Sequence, residues 1–435
     1  MSPDLHPTAT LSRKKKACFA LVTVLLTLAL IEVISWFAIL WIDNVELVTL
    51  RDEMERTSQG GTRVDNSAES IHPYLGWVMN PQVNPGTDFL NRHIPVNSLG
   101  FDDIEHGIPK RRPDRLNVAI CGGSVAWQMT VAGEQVLVNK LRENPLYRDK
   151  EIQLIRLAMS GYKQPQQLMA LNFLLALGAE FDVLVNIDGF NEVALTVAEN
   201  NEAGVFVAYP LRWDARMQDV VDPRTFSLSY RLLELRATRQ QLAAARMQSA
   251  LDWSPTLNLI WYLRNRRLRQ QVIDLGAELR DHKVDSGYGF PRTGPVQLYQ
   301  GKEGLYRHVV ELWSRCSLQM HRLCQENGIR YLHFLQPNQH FPESKPMGAA
   351  EKKIAFGAVN PRHGKTIAIG YPLLVAEGKN LRDRGVAFHD LTMLFKEFET
   401  PIYVDGCCHY NQQGYDLLAA AVATRILELV EQPTR

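Results

Sequence analysis

The chain has 435 residues, 46% of them hydrophobic, and a formal net charge of +1. That length exceeds one simple core and implies a large domain with insertions or two domains. Acids and bases nearly cancel and no basic stripe accompanies a recognition motif, which leaves no electrostatic footprint for a nucleic-acid partner.

Residues 1–17 form a basic tail, with Arg13, Lys14, Lys15 and Lys16 just before an almost wholly apolar run, 18–42. At about 1.5 Å per residue such a run covers a hydrocarbon core of about 30 Å. It lacks the short apolar core and small-residue cleavage site of a removable signal peptide. Basic residues before the run and Asp43 and Glu46 after it predict a cytoplasmic N-terminus and an extracytoplasmic remainder. The expected location is the periplasmic side of a bacterial inner membrane. Glu32, inside the run, is expected to be protonated, to snorkel outward or to pair with a partner helix.

Residues 43–70 read as a polar stalk, and 71–435 as one α/β domain. His72 to Arg115, rich in Pro, Gly and Asn, predicts an irregular wrap with short strands. Strands are then expected at Leu116–Cys121, Ile152–Ala158 and Val183–Ile187, with helices at Gly133–Glu143 and Gln164–Leu177. The alternation stops at about 193–291, where helical spacing through Tyr230–Met247 and Leu257–Arg280 predicts a helical insertion. It resumes with helix Leu305–Asn327, strand Tyr331–Leu335, helix Tyr371–Arg384, strand Val386–Leu391 and a last helix from Gln412. Strands and helices in this order predict a three-layer α/β sandwich around a parallel sheet. The insertion's arginines (Arg231, Arg236, Arg239, Arg246, Arg264, Arg266, Arg267 and Arg269) read as a solvated helix face or as a surface for an anionic polymer or lipid headgroups. Following the Asn191 loop directly, the insertion is a candidate lid or substrate platform.

In open α/β sheets, ligands sit outside the carboxyl ends of the strands. Three turns of unusual composition belong there, Gly122-Gly123-Ser124, Ser160-Gly161 and Gly189-Phe190-Asn191, and a fourth, Asp405-Gly406-Cys407-Cys408-His409, precedes the last helix. Together they hold what acyl transfer to water requires. Ser124 supplies a hydroxyl that becomes nucleophilic when a base takes its proton. His409 supplies the base, and a nearby carboxylate can fix the imidazole tautomer. The Ser124 and Gly161 N–H groups and the Asn191 amide are candidate oxyanion donors. Taken singly, each motif is also a common turn, a helix start (with Asn411 as N-cap) or an Asx turn. Their order along the chain is what points to chemistry.

These residues resemble the SGNH (GDSL-type) hydrolases, bacterial membrane-anchored branch, over roughly 90–191 and 330–430. Val96-Asn97-Ser98-Leu99-Gly100-Phe101 resembles the lead-in of those members. The resemblance implies a flavodoxin-like SGNH hydrolase fold, Ser124 and His409 as catalytic pair, Asp405 as orienting acid, and Ser124, Gly161 and Asn191 as oxyanion hole. The chain departs from the family in reading Gly-Gly-Ser for the commoner Gly-Asp-Ser and Asn191-Glu192 for Asn-Asp. Its carboxylate stands four residues before His409, where three is commoner, so the orienting acid stays open between Asp405, Asp188 and a Ser–His dyad.

Of six cysteines, Cys18, Cys121, Cys316, Cys324, Cys407 and Cys408, none has zinc-like spacing, and no metal or organic cofactor is expected. The expected activity is that of an esterase, including a deacetylase, on acyl esters of cell-surface carbohydrate or lipid. An O-acyltransferase of the same fold and a non-catalytic scaffold for envelope polysaccharide are the alternatives.

Overall fold

The computed structural model describes residues 12–43, 47–58, 69–84, 86–103, 107–217, 223–282, 289–357 and 361–431. Residues 1–11 of the expected tail, 44–46 and 59–68 of the expected stalk, and 218–222 and 283–288 of the expected insertion lie outside these.

In chain order the main elements begin with helices α1 (Arg13–Asp43) and α2 (Leu47–Ser58). Two antiparallel hairpins follow, β1 (Glu69–His72) with β2 (Gly76–Met79) and β3 (Thr87–Phe89) with β4 (Arg92–Ile94). Next come β5 (Arg115–Gly122), α3 (Ser124–Ala132), α4 (Glu134–Arg142), β6 (Glu151–Arg156), α5 (Gln166–Ala176), β7 (Val183–Asp188) and a π-helix, α6 (Asn191–Asn201). Helices α7 (Pro223–Met247) and α8 (Pro255–Asp281) precede α9 (Gly301–Glu326), β8 (Arg330–Leu335), α10 (Ala349–Ala355), α11 (Pro361–Asp383), β9 (Ala387–Asp390) and α12 (Gln412–Glu431). Residues 1–65 and 219–285 form one compact unit, and 66–218 with 286–435 form a second.

The second unit is the α/β layer structure. Its sheet has strand order β6-β5-β7-β8-β9 with every pairing parallel. β5 and β7 are buried almost end to end, as strands covered on both faces must be, so they read as continuous apolar runs and not as alternation. Helices α3, α4 and α12 pack on one another in one layer, and α5, α6, α9 and α11 in the other. The chain moves from β5 outward to β6 and then back across to β7, so the topological switch lies between β5 and β7.

Helix α3 opens directly at Ser124 and is not part of the sequence expectation. Its residues Val125, Ala126, Trp127, Met129, Thr130 and Val131 are buried nearly all round, leaving no polar face to reveal the helical period. The wrap of residues 69–103 closes over α5 through a cluster of Leu75, Trp77, Val78, Phe101, Met159, Tyr162 and Ala170. Within it, Asp102 is bridged to Val96. Its carboxylate accepts from Thr87 Oγ1 at 3.0 Å, while Oδ1 has no partner among the described residues. Burial raises the Asp102 carboxyl to about 6, against the lowering effect of the Thr87 bond. The folded value lies above the unfolded one (about 3.9), so the native state binds more protons in that window and stability falls as pH rises through it. Asp102→Asn is expected to stabilise the unit above pH 6 by on the order of 1–3 kcal/mol, with the gain fading below pH about 4. Thermal melts of both proteins across pH 4–8 check this.

The first unit is all helical. α1 is long and apolar enough to cross a membrane, with mean hydropathy 2.6 over its most apolar window. Within the expected stalk, 47–58 is a helix. Leu50 and Met54, four residues apart, share a buried cluster with Ile39, Ala243, Trp261 and Tyr262. The polar composition of this segment hides an apolar stripe only two residues long. Helices α7 and α8 cover the two stretches of helical spacing and bury Leu228, Leu232 and Leu275 between them. Among their arginines, Arg246 is buried and donates to Asn258 Oδ1 and the Leu251 carbonyl, and Arg239 donates to Asn265 Oδ1.

Candidate active site

The four turns singled out from sequence converge within the α/β unit. Ser124 follows β5 as the first residue of α3, where no preceding carbonyl receives its N–H. His409 Nε2 lies 2.8 Å from Ser124 Oγ. The other ring nitrogen, Nδ1, lies 2.5 Å from Asp405 Oδ2. The second Asp405 oxygen, Oδ1, accepts the backbone N–H groups of Cys407 (2.9 Å), Cys408 (3.1 Å) and His409 (3.3 Å). Burial alone would raise the Asp405 carboxyl. The hydrogen bond and charge of His409, with the Cys407 and His409 N–H groups, outweigh it and hold the carboxyl below its usual range. Asn411 caps α12 by accepting the Gly414 N–H at 3.0 Å, which fixes the stretch leading out of His409.

The structure therefore brings Asp405, and not Asp188, to the imidazole. Asp188 turns into the core, where Oδ1 accepts from Trp313 Nε1 (2.8 Å) and His333 Nε2 (2.9 Å), and Oδ2 accepts from Asn186 (2.7 Å). His333 Nδ1 also meets Ser317 Oγ at 2.7 Å. This makes a second Ser–His–Asp chain, wholly buried, that no substrate reaches. Its task is to satisfy polar groups inside the sheet.

Gly123 marks where the other blocks meet. A Cβ there would run into the Asn191 amide nitrogen and would sit 3.4 Å from the Tyr162 carbonyl. In this chain the close approach of Asn191 leaves no room for a side chain at position 123. Gly122, at φ +144°, is likewise confined by the Ile187 carbonyl. One Asn191 N–H donates to the Tyr162 carbonyl at 2.7 Å, which leaves its second N–H. Gly161, at φ +84°, gives its N–H to no acceptor among the described residues. Ser124 N–H, Gly161 N–H and the spare Asn191 N–H are the donors this arrangement offers an oxyanion.

Two buried charges that sequence reasoning did not single out hold these blocks. Glu192 Oε1 accepts from Gln164 N (3.2 Å) and Gln167 Nε2 (3.1 Å), and Oε2 accepts from Gly189 N (2.7 Å). It thereby clamps the Gly161 turn to the Asn191 turn. Burial, with Asp188 nearby, pushes its carboxyl up against the pull of these N–H groups. Lys163, also buried, donates to the Val207 carbonyl at 2.6 Å, and burial lowers its ammonium to about 8 while Glu192 opposes the shift. Nothing in a sequence separates such charges from surface ones. The only hint was Glu192 itself, standing where the family more often has Asp. Glu192→Gln puts an amide against at least one buried N–H. Loosening the Gly161 and Asn191 turns in this way is expected to lower kcat by up to about 10²-fold with a smaller change in KM. Steady-state kinetics on a model ester check it.

Cys407 Sγ and Cys408 Sγ lie 3.4 Å apart as free thiols, and burial holds Cys408 well above its usual range. With His409 they lie within 4.8 Å of one another, a spacing a thiophilic metal could bridge. Both imidazole nitrogens are already engaged by Ser124 and Asp405.

No family model matches the chain, and no curated protein matches it in sequence. Among solved structures it is similar to a candidate acylhydrolase of Bacteroides fragilis, at 9% identity and TM-score 0.33 over 74% of this chain and 91% of that one. It is similar also to a GDSL-like lipase of Bacteroides thetaiotaomicron, at 11% identity and TM-score 0.34 over 74% and 92% of the two chains. An acetyl xylan esterase is similar at 11% identity and TM-score 0.30 over 72% and 100%.

Proposed function

We propose that this chain is a membrane-anchored serine esterase, with α1 as its anchor and its α/β unit outside the cytoplasm, acting on acyl esters of cell-surface carbohydrate or lipid. The observation that carries the reading is the unbroken relay from Asp405 through His409 to Ser124, at 2.5 and 2.8 Å. Ser124 is partly exposed at the start of its helix, so substrate can reach it.

In this reading Ser124 Oγ attacks the ester carbonyl carbon while His409 Nε2 takes its proton, and the imidazolium is held by Asp405. The oxyanion is received by the Ser124, Gly161 and Asn191 N–H groups, each worth about 3–4 kcal/mol of transition-state stabilisation. Collapse of the intermediate breaks the ester bond, and His409 returns the proton to the departing alcohol. Water then attacks the acyl-Ser124 ester, giving a proton to His409; collapse breaks the bond to Ser124 Oγ, His409 returns the proton to that oxygen, and the carboxylic acid leaves.

Wild-type protein is expected to label with a serine-directed fluorophosphonate, and Ser124→Ala and His409→Ala are expected to abolish labelling. A folded wild type that does not label overturns the reading. With an acetylated sugar as substrate, free acetate marks an esterase, while acetyl recovered on an added sugar acceptor would make the same relay that of a transferase.

A further inference from the structure

In the helical unit, α1 is exposed all round from Arg13 to Ile31, yet from Glu32 onward one of its faces is covered. The cover is the start of α8. Ser254 Oγ donates to Glu32 Oε1 at 2.6 Å, Thr256 N–H donates to Oε2 at 2.9 Å, and Thr256 Oγ1 meets Ser35 Oγ at 3.1 Å. Ile39 shares its buried cluster with Trp261 and Tyr262. These contacts advance in the same direction on both helices, so α8 runs alongside α1 upward from the level of Glu32.

That level can be placed in depth. From Lys16, the last of the basic cluster, to Glu32 is sixteen residues, about 24 Å of helix. A hydrocarbon core is about 30 Å thick, and the apolar run continues to Ile42. The turn between α7 and α8 therefore lies inside the outer edge of the core. Outward side chains of the turn and of the start of α8 suit that place, with Leu251 49%, Trp253 66% and Ile260 57% exposed, as Phe37 and Trp41 of α1 also are. Its one acid, Asp252, is paired with Arg51 at 3.3 Å. Above Leu263 the exposed residues turn basic, at Arg264, Arg266, Arg267 and Arg269. Apolar tip below and arginines above is the layering of an interfacial helix, whose apolar side sinks about 5–10 Å while its cations meet phosphates.

We infer that the α7–α8 turn is a second membrane contact, inserted into the outer leaflet beside α1 through Leu251, Trp253 and Ile260, with the arginines from Arg264 onward at the phosphate layer. This rests on the reading of α1 as a membrane span. It also accounts for Glu32, whose carboxylate, costly in lipid, is received by the first turn of a helix that enters the bilayer with it.

The test uses the full chain in phospholipid nanodiscs, with Cys18→Ser and Cys407→Ser removing the accessible thiols. An environment-sensitive fluorophore is attached in turn at Leu25→Cys, Trp253→Cys, Ile260→Cys and Ile273→Cys, and nitroxide-labelled lipids serve as quenchers. Positions 25, 253 and 260 are expected to be quenched, 253 and 260 most by nitroxides near the headgroups. Position 273, equally apolar and exposed but far up α8, is expected to stay unquenched. Quenching at 25 with 253 and 260 behaving like 273 overturns the inference and leaves the anchor intact. No quenching at 25 overturns the anchor and the inference together. Two positions, one in the turn and one near the start of α8, keep the test decisive should one variant fail to fold.

Discussion

Ser124→Ala is expected to lower kcat on a model ester by about 10⁴–10⁶-fold while the protein keeps its fold. The hydroxyl is partly exposed and, among the described residues, it bonds to His409 alone, so its removal opens no cavity and strands no donor. His409→Ala is expected to cost about as much. The double variant is expected to cost little more than either, because nucleophile and base act as one unit. Asp405→Asn separates positioning from folding. An asparagine carbonyl can keep the three backbone N–H groups that Oδ1 receives, so the turn stays formed. Its amide nitrogen then faces His409 Nδ1 and favours the tautomer with the proton on Nε2, the nitrogen that must accept from Ser124. A loss of about 10³–10⁴-fold in kcat is expected, with KM little changed. Additive losses across these variants would show that the three residues do not form one relay.

The pH behaviour of Asp405 follows with its sign. Its folded value lies below the unfolded one, so the stabilisation from the ionised carboxylate is complete above the ordinary aspartate range and is lost as pH falls through the lowered folded value. The turn at Asp405–His409 is thus expected to hold its shape in acid below the range where a free aspartate would protonate. Hydrogen exchange at the Cys407, Cys408 and His409 amides, followed downward in pH, reads this directly.

What sequence disclosed was the placement of short polar blocks at the carboxyl ends of apolar strands, because strand and turn are both local patterns. Ser124, Gly161, Asn191 and His409 were named that way. Asp405 could not be separated from Asp188, since spacing alone does not say which way a carboxylate points. The structure shows the reason. The extra residue before His409 is taken up in a turn whose N–H groups gather on Oδ1 and leave Oδ2 facing the ring. Glu32 had three readings, and only its contacts with Ser254 and Thr256 separate them. Helix α2 was missed because two buried residues in a charged segment make too faint a period. Buried charges such as Glu192 and Arg156 were invisible, because burial is a property of the fold.

Arg156 carries the largest expected effect on stability. It lies in β6 with 1% of its side chain exposed and pairs with Asp103, equally buried, at 3.2 Å. The Arg156 N–H donates to Asp103 Oδ2 at 3.0 Å, and Nη2 donates to the Thr130 carbonyl at 3.1 Å. Glu134 completes the set at 3.3 Å. Asp103→Ala leaves a guanidinium buried with one partially exposed acid, and is expected to cost about 3–5 kcal/mol in urea unfolding. The pair is not favourable for being charged, since two ions in the core also lose their hydration. Asp103→Leu with Arg156→Met is therefore expected to recover much of that loss. The consequence reaches the site. Thr130 sits in the last turn of α3, the helix whose first residue is Ser124, so Arg156 ties the far end of that helix to the segment that follows Phe101. Asp103→Ala protein held below its melting temperature is accordingly expected to label more slowly with a fluorophosphonate, although residue 103 touches no reacting atom. If labelling kept its wild-type rate while stability fell, the clamp would serve the fold alone. If the double variant recovered stability without recovering the rate, the guanidinium bond to Thr130, and not the ion pair, would be what holds Ser124 in line.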